Sequence, residues 1–487
     1  MARVRAFSSE GSAALVERAL REAGGVRAGG PPKLDAATGA KQSDGVYGYM
    51  HMDSWDLLWS VTAKAALAAD LLRTQQMLSI IPGLLAVSRK TTLVRSLRDT
   101  FGEAAWGIVP RSFKLPDELD DWGAWVARNP SRDTGLWMLK NNKQASGGWG
   151  VVEVATEEGR GRRMPPTAAL HRRARGTGLR LVRTAEAFSA CFEAVSRPDL
   201  PPGMRLYRWY LAQQYVTTPM LIDERKFGVR LWVLVPDVAP LRIFVHTRGL
   251  VLFSSHRYDA EQLSGDPDGG PPPGHVTNYA QNENGDVWSL AQLAAHLGQA
   301  AWGKLWHAMC RSTAAAFAAA LPRCAEVMAT VAPPSHSCFQ FFGLDFLVDA
   351  TGRPWLLEVN ATPSMKVEHS DPATAALILS QKWPATRDMV ALLGLGAERF
   401  DLAAAGRSPD RSSPAYAEEE LHRRGGFVPL LHLFPSPPAS STPEAAAGAG
   451  LLRPLPWSRE DRALREWCRA SRAYQQAAAE VPVAAGL

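Results

Sequence analysis

From Val46 onward the chain alternates dense apolar runs with short polar breaks. SWDLLWSVTAKAALAADLLRTQQMLSIIPGLL concentrates aromatic and aliphatic residues, and SRKTTLVRSLRDTFG after it reads as a helix. WGIVPRSFKLP is extended and closes on a proline. GLWMLK is a short apolar run that suits a buried strand, and NNKQASGGWG beyond it is a loop. The strongest strand signals are LYRWYLAQQYV, RKFGVRLWVLVP and LRIFVHTRGLVLFS, rich in β-branched and aromatic residues and punctuated by Pro and Gly. QLSGDPDGGPPPG at 262–274 is a loop, residues 289–330 are Ala-rich and helical, and LDFLVD and WLLEVN are strands separated by ATGRP. A last helix is expected over 371–394. Residues 1–44, dominated by Gly, Ala and charge, are expected to be a disordered extension with at most a short helix near 10–22. A low-complexity linker fills 436–457, and a basic helix is expected over 458–487, where Arg459, Arg462, Arg465, Arg469 and Arg472 recur at intervals of three and four and form one basic stripe.

At 487 residues the chain has room for two or three subdomains or one composite catalytic unit. A hydrophobic share of 46% is enough for a sizeable core. The charge balance of 54 basic against 48 acidic residues leaves +6, which tolerates an acidic partner without requiring one. The five cysteines are scattered with no CxxC, which argues against a disulfide framework or a zinc site and fits a reducing compartment. Neither a secretory signal nor a membrane-spanning run of uncharged apolar residues is read.

The chemistry concentrates in LDFLVDATGRPWLLEVNATPS. If Ala350 to Arg353 form a four-residue loop, Asp349 faces Pro354 and Asp345 faces Glu358. Asn360, two residues on, then points to the same side. Two carboxylates beside an amide in an apolar hairpin repel one another without a cation, and hard oxygen ligands suit Mg²⁺ completed by phosphates and water. The alternative is a surface hairpin whose acids coincide. Lys140 leaves the GLWMLK strand ahead of a glycine-rich turn with Gly148 and Gly150. Such a lysine and such backbone N–H groups can hold phosphate oxygens. Lys226 sits inside an apolar strand and either pairs with something or points harmlessly outward. HVTNYAQN, His275 to Asn282, is a compact polar cluster, and residues 159–185 carry eight arginines and no acid. That run is either a solvated insert or a docking patch for an acidic polymer.

Taken in order, these segments resemble the tubulin–tyrosine ligase-like family of ATP-grasp ligases. The likeness runs over residues 46–435, through LKNNKQASGGWGV, QQYVTTPMLIDERKFGVRLWVLV, HVTNYAQN, CFQFFGLDFLVDATGRPWLLEVNATPS and HRRGGFVPLLHLFP. It implies an α+β, ATP-grasp-like fold with the nucleotide cleft between two α+β subdomains, and flexible termini. It also implies ATP and Mg²⁺, with Asp345, Glu358 and Asn360 as metal ligands. Lys90, Lys140 and Lys226 fall on cations that reach the nucleotide, Gln213, Gln214, Tyr215 and Val216 on the adenine hinge, and Thr277 and Asn278 on a polar turn beside it. Arg230 matches the arginine that faces phosphates and substrate, so Lys226, Arg230 and Glu358 are the expected catalytic set.

The implied reaction is ATP-dependent ligation of an amino acid, glutamate first, to the acidic C-terminal tail of tubulin through an acyl-phosphate. A glycine or tyrosine ligase, or a catalytically weakened microtubule-associated protein, is the alternative. The resemblance further implies a monomer that acts on tubulin or microtubules and a free amino acid. It implies no nucleic-acid or membrane partner, and a place in the cytoplasm and cytoskeleton, including cilium, flagellum or basal body. Three departures bear on this. Gly228 stands where the family has an aspartate, Gly147 where it has a cation (with Lys143 or Arg160 as substitutes), and Thr247 where it has Lys or Arg.

Overall fold

The computed structural model describes residues 2–7, 10–24, 26–29, 56–60, 69–73, 76–141, 178–191, 209–261, 271–277, 285–396, 413–434 and 459–482. The chain divides into two compact units. One comprises Met1–Val109, Gly228–Leu252 and Asp286–Leu487, the other Pro110–Phe227 and Phe253–Gly285. Both mix helix with sheet.

The first unit begins where the sequence predicts disorder. Ala2–Phe7 is a strand that pairs in parallel with Val26–Gly29 on one side and Leu57–Ser60 on the other, and Met77–Leu78 extends the sheet. Helix Glu10–Glu22 connects the first two strands and buries Leu15, Val16, Ala19 and Leu20 against helix Pro372–Leu392. Gly- and charge-rich composition hid a strand–helix–strand unit whose apolar residues are few but correctly spaced. The helix itself falls where the sequence placed it.

The unit's larger sheet orders Val287–Ser289, Leu241–Phe253, Arg225–Val238, Gln340–Val348 and Pro354–Asn360, with Phe427–Pro429 pairing on Leu241–Phe253. The run Leu231 to Val235 is buried at every position, as expected of a strand covered on both faces. Helix Gln299–Val331 buries Ala314 to Ala320, and Phe317 meets Phe342 of the sheet edge-to-face at 5.0 Å. This helix is long and apolar enough by length and composition to cross a membrane, even though Arg311 and Arg323 interrupt its apolar run. Its buried face packs on helix Lys90–Phe101 and on the Pro354–Asn360 strand, as a core helix does.

A buried ion network ties helix Pro414–Arg423 to this sheet. Arg242 donates to Glu420 at 3.0 Å and lies 3.5 Å from Asp237, with the three side chains 4%, 3% and 8% exposed. His336 closes on Asp237 from the other side. The turn after the helix is equally constrained. Gly425 has φ +55°, and a Cβ there would collide with the Asp388 carboxylate. That carboxylate is held by the Gly426 amide at 2.8 Å and by His246 at 3.2 Å. Gly425→Ala is therefore expected to cost about 2–3 kcal/mol, from left-handed backbone and overpacking together. Chemical denaturation would read it, and an unchanged midpoint would contradict the steric reading.

The C-terminal segment is two helices, Arg459–Ala470 and Arg472–Ala478, where the sequence suggested one. Ser471 breaks them by capping the second, accepting from the Tyr474 amide at 3.2 Å. Leu464, Cys468, Tyr474 and Ala477 are buried, and the backbone oxygens of Glu480 and Pro482 accept from the indoles of Trp306 and Trp302. Arg462, Arg469 and Arg472 are exposed, but Arg465 is buried, so the expected single basic stripe is interrupted. The 436–457 linker and Arg160 to Arg175 lie outside the described residues. Arg180 and Arg183 lie on strand Leu179–Arg183.

The second unit is built on an antiparallel sheet ordered Ser112–Lys114, Leu211–Gln214, Leu136–Lys140 and Leu179–Arg183. Trp137 and Leu139 point to one face, where Trp122, Trp125, Phe113 and Trp209 form an aromatic core. Trp122 and Trp137 meet there at 4.8 Å. Leu136 and Met138 point to the other face and join Tyr215 and Leu181. The alternation places Lys140 on that second face with Tyr215.

Candidate active site

In the first unit the hairpin brings the predicted oxygen ligands together. Asp345 is paired with Glu358 and Gly343 with Asn360, so both acids and the amide share one face. The route to that register differs from the sequence count. Val348, not Asp349, faces Pro354, and Asp349 folds back to accept from the amides of Thr351 at 2.9 Å and Arg353 at 3.1 Å. A bulge between Asp345 and Phe346 restores the offset, leaving Leu357 as the extra residue.

Each carboxylate is met by a cation. Arg230 lies directly across the adjacent strand from Asp345 and grips it through two bonds, with Nη2 to Oδ2 at 2.8 Å. The amide of Asn360 donates to the same Oδ2 at 3.0 Å. Lys90, the first residue of helix Lys90–Phe101, lies 3.1 Å from Glu358 Oε1. Burial works against the Arg230 charge, but Asp345 and then Glu358 outweigh it, so its pKa is raised. Lys382, on helix Pro372–Leu392, carries no signal in the sequence. It is buried, donates to the Lys366 carbonyl, and is pushed down to about 7 by burial and then by Arg230 nearby.

Two carboxylates and an amide are a donor set for a hard cation completed by outside oxygens, and Asn360 would turn its oxygen inward to join them. Among the described residues no group of three or more His, Cys, Asp or Glu side chains could hold a metal alone.

The second unit assembles the other predicted residues. Lys140 is 7% exposed and donates to Gln213 Oε1 at 2.6 Å, and Gln213 donates onward to Ser112 at 2.9 Å. Gln214 turns its amide to the Arg132 carbonyl. Tyr215 is buried with its hydroxyl 2.9 Å from His275 Nδ1, and Lys226 donates to that hydroxyl and to the His275 carbonyl, both at 3.0 Å. Val216 and Thr277 are half-buried. Gly148, Gly150 and Asn278 lie outside the described residues, as do Gly147, Lys143 and Arg160. In the sequence His275 stands out only as part of a polar cluster; a histidine beside Thr and Asn is the one available signal.

Burial, and then the neighbouring Lys140 charge, lower the Lys226 pKa from 10.5 to about 7. The folded protein thus holds fewer protons here than the unfolded chain between about 7 and 10.5, so this group makes stability rise with pH across that window. An anionic ligand needs the ammonium. If Lys226 contacts a nucleoside triphosphate, as the sequence resemblance implies, affinity for it is expected to fall as pH rises above 7, by up to about tenfold per unit where only the charged form binds. Titration calorimetry at pH 7, 8 and 9 would read this, and a flat profile would remove Lys226 from the contact.

The Tubulin-tyrosine ligase family model matches residues 168–379, so this part of the chain is similar to that family. Among relatives, the tubulin polyglutamylase TTLL5 of Homo sapiens is 26% identical over 399 residues, covering 77% of this chain and 26% of the relative. The tubulin monoglutamylase TTLL4 of Homo sapiens is 26% identical over 365 residues, covering 70% and 25%. The probable tubulin polyglutamylase TTLL2 of Mus musculus is 22% identical over 444 residues, covering 86% and 66%. The chain thus spans about a quarter of the length of TTLL5 and TTLL4.

Proposed function

We propose that this chain is an ATP- and Mg²⁺-dependent ligase that joins glutamate to the acidic C-terminal tail of tubulin. The observation that carries the reading is the hairpin face of Asp345, Glu358 and Asn360 with Arg230 and Lys90 bonded to it. A bare pair of acids would repel. Here two cations balance two carboxylates, so a bound metal could take over the carboxylates and release Lys90 and Arg230 toward anionic substrate groups. The metal would neutralise charge on the phosphates when bound. Lys140 and Lys226 supply further positive charge in sites poor in water, where it is worth more than at a surface.

In this reading the fold is ATP-grasp-like. A substrate carboxylate oxygen attacks the γ-phosphorus and ADP leaves. The amine of the incoming amino acid then attacks the acyl carbon, and phosphate leaves. The reaction asks the protein for positioning and charge stabilisation, not for a serine or cysteine nucleophile. Polyglutamylation is favoured because the relatives are named for glutamylation. Tubulin, a free amino acid and a cytoskeletal or ciliary location belong to the same proposal, as do a monomeric state and the absence of nucleic-acid and membrane partners.

The test is purified protein with tubulin, Mg-ATP and each amino acid in turn, read by mass spectrometry of the tails. Glutamate incorporation is the expected result, and no incorporation of any amino acid would defeat the reading. Gly228 and Thr247, at two positions where the family carries charge, favour a second reading in which nucleotide binds without ligation. Nucleotide binding combined with silent tails would select it.

A further inference from the structure

We propose that His275, acting through Tyr215, is a positioning residue that aims the Lys226 ammonium at its anionic ligand. This rests on the reading that Lys226 contacts nucleotide phosphate. His275 Nε2 lies 2.8 Å from the Asp259 carbonyl oxygen. A carbonyl can only accept, so Nε2 carries the proton and Nδ1 of the neutral ring accepts. The Tyr215 hydroxyl, 2.9 Å from Nδ1, must then donate to it. That leaves the tyrosine oxygen turned toward Lys226, whose ammonium donates to it at 3.0 Å.

The His275 carbonyl takes a second N–H of Lys226, also at 3.0 Å. An ammonium has three N–H bonds, so one remains for an anion. With two directions fixed, the third is fixed as well.

The surroundings keep this arrangement. His275, Tyr215 and Lys226 are 2%, 5% and 4% exposed. Burial lowers the His275 pKa, and although the bond to Asp259 opposes this, the Lys226 charge adds to the lowering, which holds the ring neutral. The titratable groups facing Lys226 are Tyr215 and Tyr258, whose rings lie 4.5 and 5.9 Å from its nitrogen, with His275 and Lys140. Tyr258 packs on the His275 ring at 5.0 Å and donates its own hydroxyl to the Thr217 carbonyl at 2.9 Å, so it does not compete for the histidine. Asp259 offers His275 its backbone oxygen.

The experiment is a double-mutant cycle on ATP binding by calorimetry, with an NMR titration of the ligand-free chain carrying ¹⁵N-lysine. His275→Ala and Tyr215→Phe are each expected to weaken ATP about tenfold, the scale of one lost bond to a charged group. His275→Asn, whose amide oxygen can stand in for Nδ1, recovers most of the loss. In a Lys226→Met background, His275→Ala has no further effect. A loss of the same size in that background would show a purely structural role and overturn the proposal, as would wild-type affinity in His275→Ala. In the NMR titration the Lys226 resonance, assigned by its disappearance in Lys226→Arg, moves to lower pH in Tyr215→Phe, because an acceptor that favours the charged form is gone. An unmoved midpoint overturns the proposal even if wild-type protein binds no ATP, the result that would instead defeat the ligase reading.

Discussion

Glu358→Gln is expected to slow ligation by about a hundred- to a thousandfold while the protein stays folded. Glutamine keeps the shape of the side chain but removes the charge that both Lys90 and a metal would use. Lys90 loses its 3.1 Å partner, yet its side chain is 13% exposed and water can reach it. The fold therefore survives a loss that the reaction does not. Initial rates on intact tubulin, with a thermal melt run in parallel, separate the two effects. Full activity in the variant would sink the assignment of Glu358, and a collapsed melt would move the residue from chemistry to structure.

The second large effect is on stability. Glu420→Gln should cost about 3 kcal/mol, the lower end of the penalty for removing one partner of a buried ion pair. Arg242 would keep only Asp237, at 3.5 Å, as a counter-charge while remaining 4% exposed. Replacing both partners, as Arg242→Met with Glu420→Leu, should cost far less because no buried charge is orphaned. Denaturant midpoints of the two variants test the argument. A double variant as weak as the single one would show that packing, rather than charge, holds helix Pro414–Arg423 in place.

The elements with strong period or strong composition were legible in the sequence. The Lys90–Phe101 helix, the Leu136–Lys140 strand and the facing pair Asp345 and Glu358 all emerge from spacing alone. The last of these was reached through two offsets that cancel. Asp349 leaves the ladder and lengthens the turn by one residue, the bulge beside Asp345 compensates, and neither is visible in a binary pattern. The N-terminal strand Ala2–Phe7 was missed because four of its six residues, Ala2, Arg3, Arg5 and Ala6, carry no strand signal and its parallel partners lie far along the chain. Lys382 and the role of Tyr215 were illegible for a different reason. Their significance comes from burial and from which atom donates to which, and both appear only when distant segments meet.

The parallel sheet at the start of the chain bears on where the protein can be shortened. The change of sequence texture at Val46 invites a cut there. Such a cut removes Ala2–Phe7, which hydrogen-bonds to strands on both of its sides. Leu57 and Leu58, both at 0% exposure, would then lie along an unpaired strand edge. A naked apolar edge is a template for another chain. A fragment beginning at residue 46 would therefore be recovered as aggregate while keeping every residue of the active site.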